Sequence, residues 1–189
     1  MRKTETIFFV TGNINKVNEL KEMLLGQKGI EVEQIVYDYT EIQADKLEDV
    51  ASYGAKISSI HTKKAIIVED SGLFIDALGG FPGPYSAYVF KKIGNEGILK
   101  LMADVQNRQA TFRSVIAFYD PDSKKEPILF SGSVDGVISD LIRGNQGFGY
   151  DPIFCVNENT FGEISLKEKN ERSHRRMAFE KFLKWFLED

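Results

Sequence analysis

The feature that most constrains this 189-residue chain is an apolar run leading directly into two acidic residues and a glycine. Residues 65–68 read Ala-Ile-Ile-Val, which predicts a short buried strand. Glu69, Asp70, Ser71 and Gly72 follow, and we expect the strand to end there. Carboxylates at a strand end lie where α/β proteins bind ligands. A solvated turn is the alternative interpretation.

A loop rich in glycine and proline follows the acidic pair. Residues 79–84 read Gly-Gly-Phe-Pro-Gly-Pro, which requires special backbone angles instead of regular structure. A rigid loop beside adjacent carboxylates favours a binding site over a solvated turn.

The composition predicts a packed globular domain and excludes several classes of partner. Hydrophobic residues make up 42% of the chain and aromatic residues 12%, which is ample for a core, so we expect a single domain over residues 1–189. The net charge of −4 does not predict a nucleic-acid-binding surface. No signal peptide or membrane-spanning run is recognised. The only cysteine, Cys155, fits a reducing compartment, so we expect a cytoplasmic protein without membrane partners.

The order of apolar patterns predicts alternating strands and helices, which indicates an α/β fold. Expected strands are residues 7–10, 32–36, 65–68, 111–119, 128–138 and 153–156, and the fourth and fifth should form a long antiparallel hairpin. Expected helix starts are Asn13, Asp45 with Glu48, Asn95 and Ser173. Cys155 should be a small buried side chain with no basic neighbour.

Two predicted helices begin with positive charge, which is unfavourable against the helix dipole. Lys16 lies in the first turn after Asn13, and His174 and Arg175 follow Ser173. Each cluster alone can be a solvated basic surface. Together they favour a polyanion bound between two helix N-termini.

A second glycine-rich loop, residues 143–152, carries Phe148 and Tyr150. These rings can pack on the core or offer flat faces to a base. Glu41 adds a third strand-end carboxylate to Glu69 and Asp70. A nucleoside triphosphate with Mg²⁺ would use all of these groups. Because no Ser-His-Asp or Cys-His pairing is evident, direct attack by water is the simpler mechanism.

Five segments, taken in order along nearly the whole chain, resemble the inosine triphosphate pyrophosphatase family. They are TGNINK at 11–16, EDSGL at 69–73, ALGGFPGPY at 77–85, GFGYDPIF at 147–154 and KNERSHR at 169–175. The resemblance implies Mg²⁺-dependent cleavage of ITP, XTP and their deoxy forms to the monophosphate and pyrophosphate. It also implies a homodimer, a role in removing deaminated purines from the nucleotide pool, and a long central mixed β-sheet with flanking helices in two lobes around a substrate cleft.

The resemblance also assigns roles to individual residues. The expected phosphate contacts are Thr11, Asn13, Lys16 and Lys56. The expected metal ligands are Glu41 and Asp70. Asp70, with Glu69, is expected to orient or deprotonate the attacking water, and which of the two is the base stays open. The remaining expected substrate contacts are Ser71, Phe148, Tyr150, Asp151, Lys169, Ser173, His174 and Arg175.

Three other functions remain open at this stage. The chain could hydrolyse another nucleotide, such as a modified pyrimidine triphosphate. It could be a nucleotide sensor without turnover, although Glu41 and Asp70 argue against that. A structural interaction protein would leave the cationic helix starts unexplained.

Overall fold

We analysed a computed structural model that describes residues 5–27, 29–123 and 125–188. Its strands are β1 (Glu5–Val10), β2 (Ile30–Ile35), β3 (Ile66–Ile75), β4 (Pro82–Gly83), β5 (Gln109–Tyr119), β6 (Ile128–Ile138), β7 (Phe154–Val156) and β8 (Asn159–Thr160). Its helices are α1 (Ile14–Met23), α2 (Leu47–Thr62), α3 (Ser86–Leu101), α4 (Leu166–Arg172) and α5 (His174–Glu188). Across the described ranges, every helix is too short or too polar to cross a bilayer.

The strands form one mixed sheet in the order β2-β1-β3-β5-β6-β7-β8, with β4 paired to β3. Strand β1 is parallel to β2 and β3, whereas the other pairs are antiparallel. The predicted hairpin is confirmed, because β5 and β6 pair from Gln109↔Val137 to Phe118↔Ile128. The expected long mixed sheet with flanking helices is therefore confirmed.

Strand β3 does not end before the acidic pair, which corrects the prediction from the sequence. It pairs with β5 without interruption from Ile66↔Tyr119 to Ile75↔Ala110. The long partner strand pairs with β3 on both sides of Glu69 and Asp70, so the backbone stays extended through them. Because successive strand residues face opposite sides of a sheet, the two carboxylates point in opposite directions.

Two predicted helix caps are confirmed. The Asn13 side chain accepts a hydrogen bond from the Asn15 N–H at 3.0 Å at the start of α1. Ser173 Oγ accepts one from the Arg176 N–H at 3.1 Å at the start of α5.

Three other helix starts differ from the predictions. Helix α2 begins after Lys46 without a side-chain cap, so the expected Asp45 and Glu48 pairing is wrong. Helix α3 begins near residue 86, earlier than predicted. Gly94 (φ 61°) interrupts it, so that a second helical segment starts at the predicted position, but Asn95 Oδ1 makes no capping hydrogen bond. Helix α4 was not predicted, although it carries a capping box between Ser165 and Glu168.

Three apolar clusters hold the sheet against the helices. One joins Phe9 of β1 to Phe179 of α5 and to α1. A second, on the opposite face, joins Val68 of β3 to Ala51 of α2. The third joins the far half of β3 to α3, β6 and β7. The first two clusters lie at one end of the long strands and the third at the other.

Cys155 is buried, as expected, but it does have a basic neighbour. Arg143 Nη2 lies 3.0 Å from Cys155 Sγ and also donates to the Glu158 carbonyl. The two residues are twelve positions apart, so sequence spacing alone did not reveal the contact.

Candidate active site

A cleft of about 940 Å³ lies between the two ends of the sheet and gathers most of the predicted site residues. Those that line it are Thr11, Asn13, Lys16, Glu41, Asp70, Ser71, Phe148, Tyr150, Asp151, Lys169, His174 and Arg175. An adjoining cavity of about 490 Å³ shares Thr11, Lys16, Glu41 and Asp70, and Glu69 also lines it. The motifs therefore converge although they are far apart in sequence.

Asp70 lines the cleft and lies on the face of β3 that also carries Val68 and packs on α2. Its Oδ2 atom is buried and accepts no hydrogen bond from the described residues. Burial raises the pKa of Asp70 to about 7, with nearby Glu69 and Glu41 adding to the effect and Lys16 opposing it. A carboxyl group with this pKa can accept a proton near neutral pH.

Glu69 points to the other face of β3 and is enclosed by donors. Ser114 Oγ donates to Oε1 at 2.6 Å and Arg175 Nε at 3.1 Å, while Lys16 Nζ lies 2.7 Å from Oε2. Burial alone would raise its pKa, but the charges of Arg175 and Lys16 outweigh burial and hold the pKa of Glu69 well below its usual range. Glu69 is therefore an ionised anchor for two cations and does not face the same side as Asp70.

Lys16 projects from the first turn of α1 with 16% of its side chain exposed. Its ammonium group donates to the Glu69 carbonyl at 2.9 Å and pairs with the Glu69 carboxylate at 2.7 Å. An ammonium group has three N–H donors. At most two of them face Glu69, so at least one donor is left for a phosphate oxygen in the cleft.

Glu19 of α1 is a site residue that the sequence analysis missed. It is 1% exposed, accepts from Lys169 Nζ at 2.8 Å and pairs with Arg175 Nη1. Burial opposes ionisation, yet Arg175 and Lys169 lower the pKa of Glu19 below its ordinary value. Neighbouring helix residues point about 100° apart, so Glu19 lies off the stripe of Val17 and Leu20, and the local pattern gave no signal of its burial. The cationic helix starts are therefore partly neutralised by the protein itself.

Asp151 fixes the aromatic loop to Lys169. Its Oδ2 atom accepts from the Phe148 N–H at 2.7 Å and from Lys169 Nζ at 2.7 Å. The Lys169 ammonium lies 4.6 Å from the centre of the Phe148 ring, and the Arg175 guanidinium carbon lies 5.4 Å from it. These cations hold the ring at the cleft wall, where a flat face can meet a base.

Two further aromatic residues shape the same end of the cleft. The His174 ring stacks on Phe112 at 4.7 Å, and burial lowers the pKa of His174 far enough to keep it neutral. Its Nδ1 atom has no hydrogen-bond partner among the described residues. Tyr150 lines the cleft but donates through Oη to the Ser86 carbonyl at 3.1 Å. Tyr150 therefore also ties its loop to α3.

The other predicted residues have structural contacts of their own. Thr11 Oγ1 accepts from the Asn13 N–H at 3.1 Å, and Ser71 Oγ accepts from Arg175 Nη2 at 3.0 Å. Ser173 is fully buried as the cap of α5 and does not line the cleft. Lys56 is not brought to the cleft either, because its Nζ lies 2.5 Å from Glu126 Oε2 on the surface.

The carboxylates at the cleft fit a hard divalent cation that completes its coordination with other oxygens. In the described part of the chain, no three His, Cys, Asp or Glu side chains are close enough to hold a metal alone. Asp70 nevertheless offers an unpartnered buried oxygen, and Glu41 lines the same cavity. Mg²⁺ commonly uses one or two carboxylates together with phosphate oxygens and water.

The fold and the cleft define an α/β protein whose site suits a phosphorylated aromatic ligand. Comparison with known proteins then identifies the family. The sequence model of the Ham1 family matches residues 7–185, so the chain belongs to the Ham1 family. The recognition made from the five sequence motifs is confirmed.

Several relatives are similar in sequence to this chain over nearly the whole length of both chains. The dITP/XTP pyrophosphatase of Methanopyrus kandleri is 50% identical over 182 residues, covering 95% of each chain. That of Pyrococcus horikoshii is 49% identical over 182 residues with the same coverage. The Ham1 protein structure from Staphylococcus aureus has a TM-score of 0.82 at 32% identity, covering 97% of this chain and 98% of that one.

Proposed function

We propose that this protein hydrolyses non-canonical purine nucleoside triphosphates, namely ITP, dITP and XTP, to the monophosphate and pyrophosphate. The observation that carries the proposal is Asp70, whose buried carboxyl group has a free oxygen and a raised pKa in a cleft that Lys16, Lys169 and Arg175 also line. The names of the relatives, dITP/XTP pyrophosphatase, support the same substrate class.

The triphosphate lies at the N-terminus of α1, where backbone N–H groups and the remaining Lys16 donor meet its oxygens. Thr11 and Asn13 shape this turn through their hydrogen bonds to the backbone. Glu69 fixes Lys16 so that its ammonium group is oriented before the substrate binds. This preorganisation stabilises charge that develops on the leaving pyrophosphate.

Asp70 acts as the general base in this proposal. It accepts a proton from water while the water oxygen forms a bond to the α-phosphorus. The bond between that phosphorus and the oxygen bridging to the β-phosphate breaks, and pyrophosphate leaves. Asp70 Oδ2 has no hydrogen-bond partner among the described residues, so it is free to take that proton.

Mg²⁺ is the proposed cofactor, with Asp70 and Glu41 as its protein ligands. When bound, it would neutralise phosphate charge and favour deprotonation of water. Both carboxylates line the cavity that also contains Lys16, which supports one shared phosphate and metal region.

The purine lies at the other end of the cleft, on the Phe148 ring. Hypoxanthine and xanthine carry an oxygen at C6, which accepts hydrogen bonds from Arg175 or from loop N–H groups. Adenine carries an amine there, so the same donors would be left unpaired in a buried site. Lys169, Asp151 and His174 support this pocket through the contacts described above.

We also propose a homodimer that acts in the cytoplasm. Tyr88, Leu141 and Ile142 are large apolar side chains that are 64%, 58% and 44% exposed, as residues of a subunit contact would be in one isolated chain. The single cysteine fits a reducing compartment. Light scattering after size exclusion should give twice the chain mass of 21.4 kDa, and the mass of one chain would contradict the dimer.

The activity is tested by measuring pyrophosphate release from ITP, XTP, GTP and ATP with Mg²⁺. We expect release from ITP and XTP, and a loss of about 10²–10⁴-fold in kcat for Asp70→Asn. Asp76→Asn is the matched control, because Asp76 is an exposed carboxylate outside the cleft lining.

Equal turnover of all four nucleotides would contradict the substrate selectivity. Orthophosphate as the first product would contradict attack at the α-phosphorus. Tight ITP binding without any turnover would favour a sensor.

A further inference from the structure

The segment between β2 and α2 carries Glu41 and contains no helix or strand in the described residues. Two aromatic side chains anchor it to α2. The Tyr37 ring stacks on the His61 ring with 4.0 Å between centroids and 10° between planes. The Tyr39 ring packs onto the α2 cluster, with its hydroxyl group directly over Gly54.

The two anchor points follow one face of the helix. Gly54 and His61 are seven residues apart on α2, which corresponds to two turns on the same side. The segment therefore runs along α2 toward the N-terminus of the helix, and Glu41 lies just beyond the second anchor. Val50, one turn before Gly54, lines the cleft together with Glu41.

Gly54 forms a notch that only a residue without a side chain provides. A Cβ atom there would lie 2.3 Å from Tyr39 Oη and 2.8 Å from Tyr39 Cζ, so the ring would have to move. Glycine inside a helix costs about 1 kcal/mol relative to alanine. The close approach of the Tyr39 ring explains why glycine occupies this helical position despite that cost.

Tyr39 is also close to both carboxylates of the metal region. It lines the same cavity as Glu41 and Asp70. Burial, followed by the charges of Glu41 and Asp70, raises the pKa of Tyr39, so the phenol stays neutral beside them. Because Glu41 is only two residues further along the chain, a shift of the Tyr39 ring would also move Glu41.

We propose that Tyr39, seated in the Gly54 notch, is a positioning residue that holds Glu41 opposite Asp70 and thereby sets the affinity of the divalent-cation site. This inference rests on the proposed metal site. It differs from a purely packing role for Tyr39, because it predicts a change in cation affinity that is separate from the stability of the fold.

The test uses Gly54→Ala in the full-length protein. The φ angle of Gly54 is not in the left-handed region, so alanine suits the helix and displaces only the ring. Mn²⁺, which prefers the same oxygen ligands as Mg²⁺, is titrated into protein saturated with a non-hydrolysable ITP analogue, whose phosphate oxygens complete the coordination, and the free ion is counted by its EPR signal against the analogue alone. We expect Gly54→Ala to bind Mn²⁺ about 10–100-fold more weakly, as for other changes behind metal ligands.

Two further variants separate positioning from folding. Ser52→Ala also improves the helix propensity of α2, lines neither cavity and should leave Mn²⁺ affinity unchanged. Tyr39→Phe keeps the ring in the notch and should bind like the native protein, whereas Tyr39→Ala should resemble Gly54→Ala. Melting temperatures without metal show that each variant is folded.

Native-like Mn²⁺ affinity in Gly54→Ala would overturn the positioning role while leaving the proposed function intact. An equal loss in Tyr39→Phe would assign the effect to the hydroxyl group and also overturn it. If native protein itself bound no Mn²⁺, the proposed metal site would fail first, and the positioning role with it.

Discussion

Glu69 and Asp70 are neighbours in sequence but face opposite sides of β3. Glu69 is held by Ser114, Arg175 and Lys16, whereas a buried oxygen of Asp70 has no partner among the described residues. One carboxylate is therefore committed to orienting cations, and the other is available for substrate chemistry.

Glu69→Gln should destabilise the fold strongly, because Arg175 and Lys16 would lose a buried anion. Removing one partner of a buried ion pair costs about 3–5 kcal/mol. The free energy of unfolding in urea measures the effect. Glu126→Gln is the control, since its partner Lys56 lies at the surface, and it should change stability little. Similar small changes in both variants would contradict an anchoring role for Glu69.

Glu19 should make stability depend on acid pH. Its pKa is lowered in the folded protein, so its stabilising contribution is present above the ordinary value of 4.5 and is lost as pH falls through the folded pKa. The difference in unfolding free energy between native protein and Glu19→Gln should therefore be larger at about pH 7 than at about pH 3. A difference that does not change with pH would show that Glu19 is not ionised in this network.

Gly72→Ala should disturb the contact of β3 with β4 and with the start of α3. A Cβ at Gly72 would lie 2.2 Å from the Gly83 carbonyl oxygen, and Ser86 Oγ is also close. Overpacking of this kind costs about 1–3 kcal/mol. Gly12→Ala is the matched control, because a Cβ there meets nothing within 4 Å. The melting temperature of Gly72→Ala should be clearly lower than that of Gly12→Ala. Equal melting temperatures would contradict the close contact at Gly72.

Phe148→Leu should weaken binding of the purine more than it slows the chemical step. Loss of base stacking is worth about 1–3 kcal/mol, so KM for ITP should rise roughly 5–150-fold with a smaller change in kcat. Phe81→Leu is the control, since Phe81 is 40% exposed and outside the cleft lining. An unchanged KM for Phe148→Leu would place the base elsewhere.

Local patterns in the sequence predicted much of the fold. The β5–β6 hairpin follows from alternation, and the caps at Asn13 and Ser173 follow from residue type. The continuation of β3 through Glu69 and Asp70 could not be predicted locally, because it depends on backbone pairing with the distant strand β5. Tertiary contacts override local turn signals in such cases.

The motifs predicted which residues form the site, but they did not predict the ion pairs and hydrogen bonds between those residues. The motifs placed Lys16, Lys169 and Arg175 near one ligand, and the cleft brings them together. Glu19, the shared partner of Lys169 and Arg175, was missed, because a charged residue is assigned to solvent unless its pairing across 150 residues is known. Lys56 shows the reverse case, a residue matched by motif that the structure directs to the surface.

The most direct test of the central claim is to follow heavy oxygen from labelled water during ITP hydrolysis. The mechanism predicts that the label enters inosine monophosphate, because water attacks the α-phosphorus and Asp70 takes its proton. The pyrophosphate should carry no label. Label in pyrophosphate or orthophosphate would mean attack at another phosphorus and would contradict the proposed role of the cleft.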